Sequence, residues 1–426
     1  QSSRSRTRRH GLSRGIVSWN LAVALLAIFL TGPVAADITG QVIRSDNLNP
    51  IVGARVRVQA DPASPIVLTG ADGRFNLPVN PTDVVTETAT VPYDPDVADN
   101  YPVEQAFANN GADILIQLMP LSATDDPTYI PPQASNGCVA CHQDQVDQWQ
   151  TSNHSHAAVN EWVLDLYSGT GTPGGSNGYV FLDTHDPGES GFCATCHAPL
   201  QDVFDPGNVM LNEVDQAGAL DGVQCLSCHQ IHDVNENVSA LHHLGNSEYR
   251  FPDGGITQFF VWGPLEDVGF STMNALPSPM FEESRFCASC HEYNNPDTNA
   301  PGQTTYSEWL AGPFSQPGPN FATCQNCHME PATEPGPISS LPGQPIRPAS
   351  QRHDHSFPGS TPARLDEAID MEMDAFLENG ELVVQVHVAN VGAGHAFPTG
   401  VSVRNALLHV QASANGQALT QTSGPT

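Results

Sequence analysis

Ten cysteines and five histidines share one repeated spelling. Cys138-Val139-Ala140-Cys141-His142 recurs as Cys193 to His197, Cys225 to His229, Cys287 to His291 and Cys324 to His328, and these copies use every cysteine of the chain. Two thiols at this spacing can each form a thioether to a haem vinyl group, and the histidine just after them can bind the iron from one face. The attachment residues are then Cys138, Cys141, Cys193, Cys196, Cys225, Cys228, Cys287, Cys290, Cys324 and Cys327. The proximal ligands are His142, His197, His229, His291 and His328. A lone Cys-x-x-Cys also suits zinc or dithiol chemistry, and an even cysteine count suits a disulfide framework. Neither needs a histidine after every second cysteine, so the pattern implies five covalently attached c-type haems.

A closed iron needs a second ligand, and surplus histidine favours six-coordinate sites that pass electrons. His154 and His156 follow the first motif two residues apart and cannot share a helical face, so one ligand is expected from the pair. His353 and His355 form a similar either/or. His242 and His243 are adjacent, and His232 follows the third motif by three residues. His395 sits in the glycine-flexed run Gly392 to Gly400. The expected distal set is His156, His232, His243, His355 and His395, with the partner of each pair as its alternative. His387 and His409 fall in strand-like runs, where a core or surface role is the simpler reading, and His185 is undecided. No hydrolase, metalloprotease or phosphate-loop motif occurs, and no catalytic residue is assigned.

Thiols and imidazoles act only where the surrounding elements place them. Residues 1–36 read as a signal peptide: Arg4, Arg6, Arg8, Arg9 and Arg14, an apolar run from Leu21 to Leu30, and the small residues Val34-Ala35-Ala36. No later run is long and apolar enough to span a bilayer, so a periplasmic or extracellular bacterial protein with no membrane span in the mature chain is expected. The chain holds 46 acidic residues against 15 basic ones and no lysine, for a formal net charge of −31. Such a surface repels nucleic acid and favours cationic partners.

The fold class read from these patterns is multidomain. Residues 37–121 alternate as Ile38 to Ile43, Ala54 to Val58, an Ala71-Asp72-Gly73 turn, Arg74 to Leu77 and Asp113 to Leu118, as short strands of a β-sandwich do. Residues 122–136, with Pro127, Pro131 and Pro132, read as a linker. Residues 137–364 are the haem-rich region, mostly α-helical or irregular, where porphyrins and iron ligation substitute for side-chain burial. Residues 365–426 return to period two through Ala368 to Leu377, an Asn379-Gly380 turn and Leu382 to Val388, then Val401 to Val403 and Ala406 to Val410. They predict a second sandwich-like β segment, incomplete where the sequence stops.

Two resemblances attach to these residues. Gly40-Gln41-Val42 through Pro50 to Val56 and Ala71 to Phe75 resembles the carboxypeptidase regulatory-like domain, a small non-catalytic β-sandwich. Residues 137–400 resemble the multihaem cytochromes of the c-552/c-554 type. The segments that carry this are Cys138 to His142 with Trp149, Ser152 and His156; Gly222 to Cys225; Gly263-Pro264-Leu265; Ser284 to Cys287 through Glu292; Glu308-Trp309 before Cys324 to Met329; and the loops around His355 and His395. That resemblance implies the five proximal ligands and distal ligands in the segments holding His156, His355 and His395. The chain departs from the family between Gly-Pro-Leu and the fourth motif, where no histidine occurs. Another histidine, Met273 or Met280, or an open iron would complete that site.

Three functions fit. The first is an extracytoplasmic electron-transfer protein with five haems, mostly bis-histidine ligated, exchanging electrons with redox partner proteins such as other cytochromes. The second is an oxidoreductase acting on a small nitrogen or sulfur compound at one five-coordinate haem, without the lysine ligand of ammonia-forming nitrite reductases. The third is a structural cytochrome whose flanking β modules tether it, with the N-terminal module separable from the haem spectra.

Overall fold

The computed structural model describes residues 36–79, 81, 85–170, 178–234, 247–253, 259–269, 273–295 and 298–424. The signal-peptide residues 1–35 lie outside them, as do His242 and His243.

Seven strands open the described chain: β1 (Ile38–Arg44), β2 (Arg55–Val58), β3 (Val67–Leu68), β4 (Arg74–Leu77), β5 (Val85–Thr90), β6 (Glu104–Ala108) and β7 (Asp113–Leu118). They form two sheets, ordered β4-β1-β7 and β3-β2-β5-β6, with β1 and β7 parallel and the other pairs antiparallel. Alternate residues of each strand point inward. Val42, Val56, Val58, Phe75, Leu77, Ala89, Ile116 and Leu118 from both sheets meet in one apolar cluster. The turn before β4 needs glycine at Gly73, where φ is +74° and a Cβ would lie 2.5 Å from the Val42 carbonyl oxygen.

A polar seam joins this module to the haem-motif region. The Tyr93 and Val103 amides donate to the carbonyls of Pro277 (2.7 Å) and Ala275 (2.8 Å) on β11 (Met273–Pro277). That strand pairs in parallel with β10 (Phe259–Gly263). Arg347 and Asp267 form a 2.7 Å ion pair, 1% and 2% exposed, and the Ala60 amide donates to the same carboxylate at 2.7 Å. Arg55 reaches Glu266 at 2.9 Å. The sandwich is thus joined to the haem-motif region by backbone hydrogen bonds and ion pairs. Residues 122–136 are irregular, as their prolines require, yet pinned: Asp125 pairs with Arg250 at 2.7 Å, Tyr129 stacks on Phe251, and Ala134 is fully buried.

Among the described residues the middle of the chain holds short helices and small two-stranded ribbons. Besides β10 with β11, these are β8 (Ile231–Val234) with β9 (Ser247–Tyr249), and β12 (Tyr293–Asn294) with β13 (Pro301–Gln303). Near the C-terminus β14 (Ile369–Glu378) and β15 (Glu381–Asn390) form the expected hairpin, turned at Asn379 and Gly380 with φ of +53° and +87°. The sandwich expected beyond it does not form among the described residues. After β15 they contain only the ribbon of β16 (Ser413–Ala414) and β17 (Gln417–Ala418), and Leu407 is 93% exposed. Residues 406–410 have the alternation of a strand but no neighbouring strand to pair with.

Candidate haem-binding sites

Four of the five Cys-x-x-Cys-His repeats form a single helical turn ending on the histidine: Cys193–His197, Cys225–His229, Cys324–His328, and the end of Arg285–His291. In the first repeat a turn gives the same link, with the His142 amide donating to Cys138 O at 2.9 Å. One turn brings residues i and i+3 to one face and i+4 beside i, so both thiols and the imidazole converge. Capping boxes fix two of these turns, through Gln224 with Ser227 and Thr323 with Asn326.

No disulfide consumes the thiols; all ten cysteines are free. The Cys138 thiol lies beside that of Cys225, Cys196 beside Cys290, and Cys287 beside Cys324. The first motif therefore neighbours the third, the second the fourth, and the fourth the fifth. Burial pushes the Cys193 thiol up to about 11 and the Cys228 thiol up to about 12.

Each motif histidine is oriented through Nδ1. His142 donates to Ile338 O (2.8 Å), His197 to Ala157 O (3.0 Å), His229 to Trp262 O (2.6 Å) and His328 to Pro358 O (2.8 Å). A carbonyl accepts only, so Nδ1 carries the proton and Nε2 keeps a lone pair, the tautomer a metal needs. His291 differs: its Nδ1 lies 3.0 Å from the Gln303 side-chain amide, which can present its oxygen by turning over.

Two of these rings face a second imidazole. The His291 and His154 ring centres are 6.2 Å apart and tilted by 60°; those of His328 and His395 are 6.3 Å apart and within 11° of parallel. A metal bound by a nitrogen on each side at about 2.0–2.1 Å would set two imidazole centres roughly 6 Å apart. His355, half-buried, donates from Nδ1 to His353 O at 2.9 Å and feels the charge of His229. Burial first, then neighbouring histidines, lowers His154, His291 and His355 to about 4, so all three are neutral and ligand-competent at pH 7. The donor set fits haem iron.

Other candidates are placed differently. His156 is exposed on the 3-10 turn Asn153–Val159, while His154 on the same turn packs on Phe357 at 4.6 Å. His232 is placed with its Nδ1 2.9 Å from Tyr93 Oη and its Nε2 3.5 Å from Glu248. His353 Nδ1 bonds Met329 O at 2.6 Å. His185, His387 and His409 are exposed. Met280 is buried against Ile231 and Val234, as a packing residue is, and Met273 lies half-buried in β11. The carbonyl acceptors and Gln303 escape sequence reading, because a backbone oxygen has no letter code.

Residues 137–230, which contain the first three motifs, match the family model for cytochrome c554 and c-prime. No curated protein matches the chain. Among solved structures, a penta-heme cytochrome c552 from Thermochromatium tepidum is similar at 20% identity and a TM-score of 0.41, over 63% of this chain and 67% of that one. The family match supports c-type haem attachment over residues 137–230, where the first three motifs lie. Among the described residues no helix is long and apolar enough to cross a membrane.

Proposed function

We propose that this is an exported electron-transfer protein that carries five c-type haems, one at each Cys-x-x-Cys-His motif, and relays single electrons between redox partners. The observation that carries the reading is the common treatment of the motif histidines. Four are anchored by Nδ1 to a backbone carbonyl, leaving Nε2 unprotonated. The haems supply the redox chemistry; the chain supplies attachment, axial nitrogen and spacing. In this reading His291 is paired with His154 and His328 with His395. Motifs that neighbour one another through their thiols give electrons a short path along the set. The acidic surface selects partners with basic faces. The N-terminal module, read as carboxypeptidase regulatory-like, has no catalytic part in this.

Mass measurement of the matured protein tests the count, and five haem additions are expected. EPR of the oxidised protein tests ligation, with low-spin iron dominating. A protein that matures without added haem mass ends the proposal.

A second reading, oxidoreduction of a small nitrogen or sulfur compound at an open iron, has one observation in its favour. Among the described residues no second imidazole stands in ring contact with His142 or His197. Either His242 or His243 completes one of these sites, or an iron there is five-coordinate. A high-spin ferric signal that shifts on adding nitrite or hydroxylamine would favour this reading.

A further inference from the structure

His395 stands on a loop with little to hold it. The run Gly392 to Gly400 contains three glycines and no helix or strand, and a glycine-rich segment left alone samples many conformations. Yet its ring lies 6.3 Å from that of His328 and within 11° of parallel. Something outside the loop must select this conformation.

That role falls to one carboxylate. Glu308 Oε2 accepts from the Ala396 amide at 3.1 Å, one residue beyond His395, and from Thr399 Oγ1 at 2.6 Å. Its other oxygen accepts from Thr304 Oγ1 at 2.9 Å, which fixes the carboxylate plane. Thr305 Oγ1 lies 2.9 Å from Thr399 Oγ1, and Asn390 Nδ2 donates to His395 O at 2.7 Å. Gly312 brings the far end of the same helix, Thr305–Ala311, against the loop: a Cβ there would lie 3.1 Å from Gly394 O.

This helix is also fastened to the fourth motif. Glu292, the residue after His291, accepts from the Ser307 amide at 2.9 Å and from Ser307 Oγ at 2.6 Å. Gln303, two residues before the helix, contacts His291 Nδ1 at 3.0 Å. One short helix is therefore referenced to the His291 end and holds the His395 end.

We infer that Glu308 is the positioning residue that sets His395 as the distal ligand of the fifth haem iron, through its bonds to Ala396 and Thr399. The inference rests on the reading of His328 and His395 as one axial pair. It is tested on the holoprotein with Glu308→Ala, Glu308→Gln and Thr399→Val, beside His395→Ala, by EPR of the oxidised form and CO binding to the reduced form. With haem content unchanged, Glu308→Ala should convert one haem of the set to a high-spin, CO-binding form, as His395→Ala does. Added imidazole should restore the low-spin signal. Glu308→Gln, which keeps one acceptor oxygen and loses the carboxylate charge, and Thr399→Val, which removes one of its two loop donors, should convert a fraction of the same haem. If Glu308→Ala does not mature, these two variants carry the test.

Spectra unchanged in all Glu308 and Thr399 variants, with His395→Ala converted, would overturn the role of Glu308 and leave the axial pair standing. Spectra unchanged in His395→Ala as well would overturn both.

Discussion

The N-terminal sandwich and the haem-motif region lie side by side and are stabilised by different means. In the sandwich one apolar cluster, fed by both sheets, accounts for the buried face of its main strands. Over residues 137–364 the buried apolar residues break into separate clusters, while nine of the ten cysteines remain only half-buried and Cys327 is exposed. Helices of five to eight residues, such as Cys193–His197 and Gln143–Gln150, are too short to persist without packing. The first region is specified by side chains against side chains. The second sets half-buried thiols and imidazoles among several separate clusters, one of them gathered around Tyr167, Leu200 and Leu226.

The strongest way to break that comparison is to deny the second region its cofactor. A chain with all ten cysteines replaced by alanine should lose protection from hydrogen exchange across the motif helices, while β1, β2, β5 and β7 keep theirs. Equal protection in both regions would show that the haem-motif region folds on its side chains alone, and the contrast would disappear.

The seam between the regions gives the next largest effect. Asp267→Ala leaves the Arg347 guanidinium, 1% exposed, without its 2.7 Å partner, and stranding one member of a buried pair costs about 3–5 kcal/mol. The same change removes the acceptor for the Ala60 amide. Urea denaturation of the holoprotein should show the loss, together with earlier release of the sandwich. A midpoint like that of the parent would mean that the seam transmits nothing. Leu77→Ala sharpens the same contrast from the other side. Leu77 is fully buried in the sandwich core, so a loss of about 2–5 kcal/mol is expected there, with the haem spectra unmoved. A shifted haem spectrum would show that the sandwich shapes the iron sites.

Legibility in the sequence divides along the same line. β1, β2, β4 and β7 are readable because alternation and the Asp72-Gly73 turn are local signals, whereas β3, β5 and β6 are not picked out by them. The motif turns are readable because five letters suffice to close one helical turn. The choice between His154 and His156 is not local. It depends on the segment winding as a 3-10 turn, at three residues per turn, and on Phe357, far off in sequence, packing beside His154. His232 is claimed by Tyr93, 139 residues earlier, and nothing around either residue announces the contact. Residues 122–136 are irregular, and their anchoring needs Arg250 and Phe251, which arrive later in the chain. Beyond β15, alternation at Val401 to Val403 and Ala406 to Val410 has the right period for strands, yet among the described residues Val401 makes only an isolated bridge to Gln303, and period alone does not make a sheet.

The smallest expected effect concerns an ionisable group on the core face of the sandwich. Glu87 sits opposite Val58 and Ala106 in the sheet, is fully buried, and neither carboxylate oxygen has a hydrogen-bond partner among the described residues. Burial raises its pKa from 4.5 to about 7. The folded state therefore holds this proton over a range where the unfolded chain has released it. Stability is fully retained below about pH 4.5 and declines as pH rises toward 7, by roughly 3 kcal/mol in all, then levels off. Glu104, also raised by burial, adds a slope of the same sign. Glu87→Gln should flatten most of the decline between pH 5 and 7 in the urea midpoint of the sandwich, leaving the smaller slope due to Glu104. A parent protein that grows more stable as pH rises through that range would mean that Glu87 is charged and partnered, and that the sandwich core is less purely apolar than the contrast with the haem region requires.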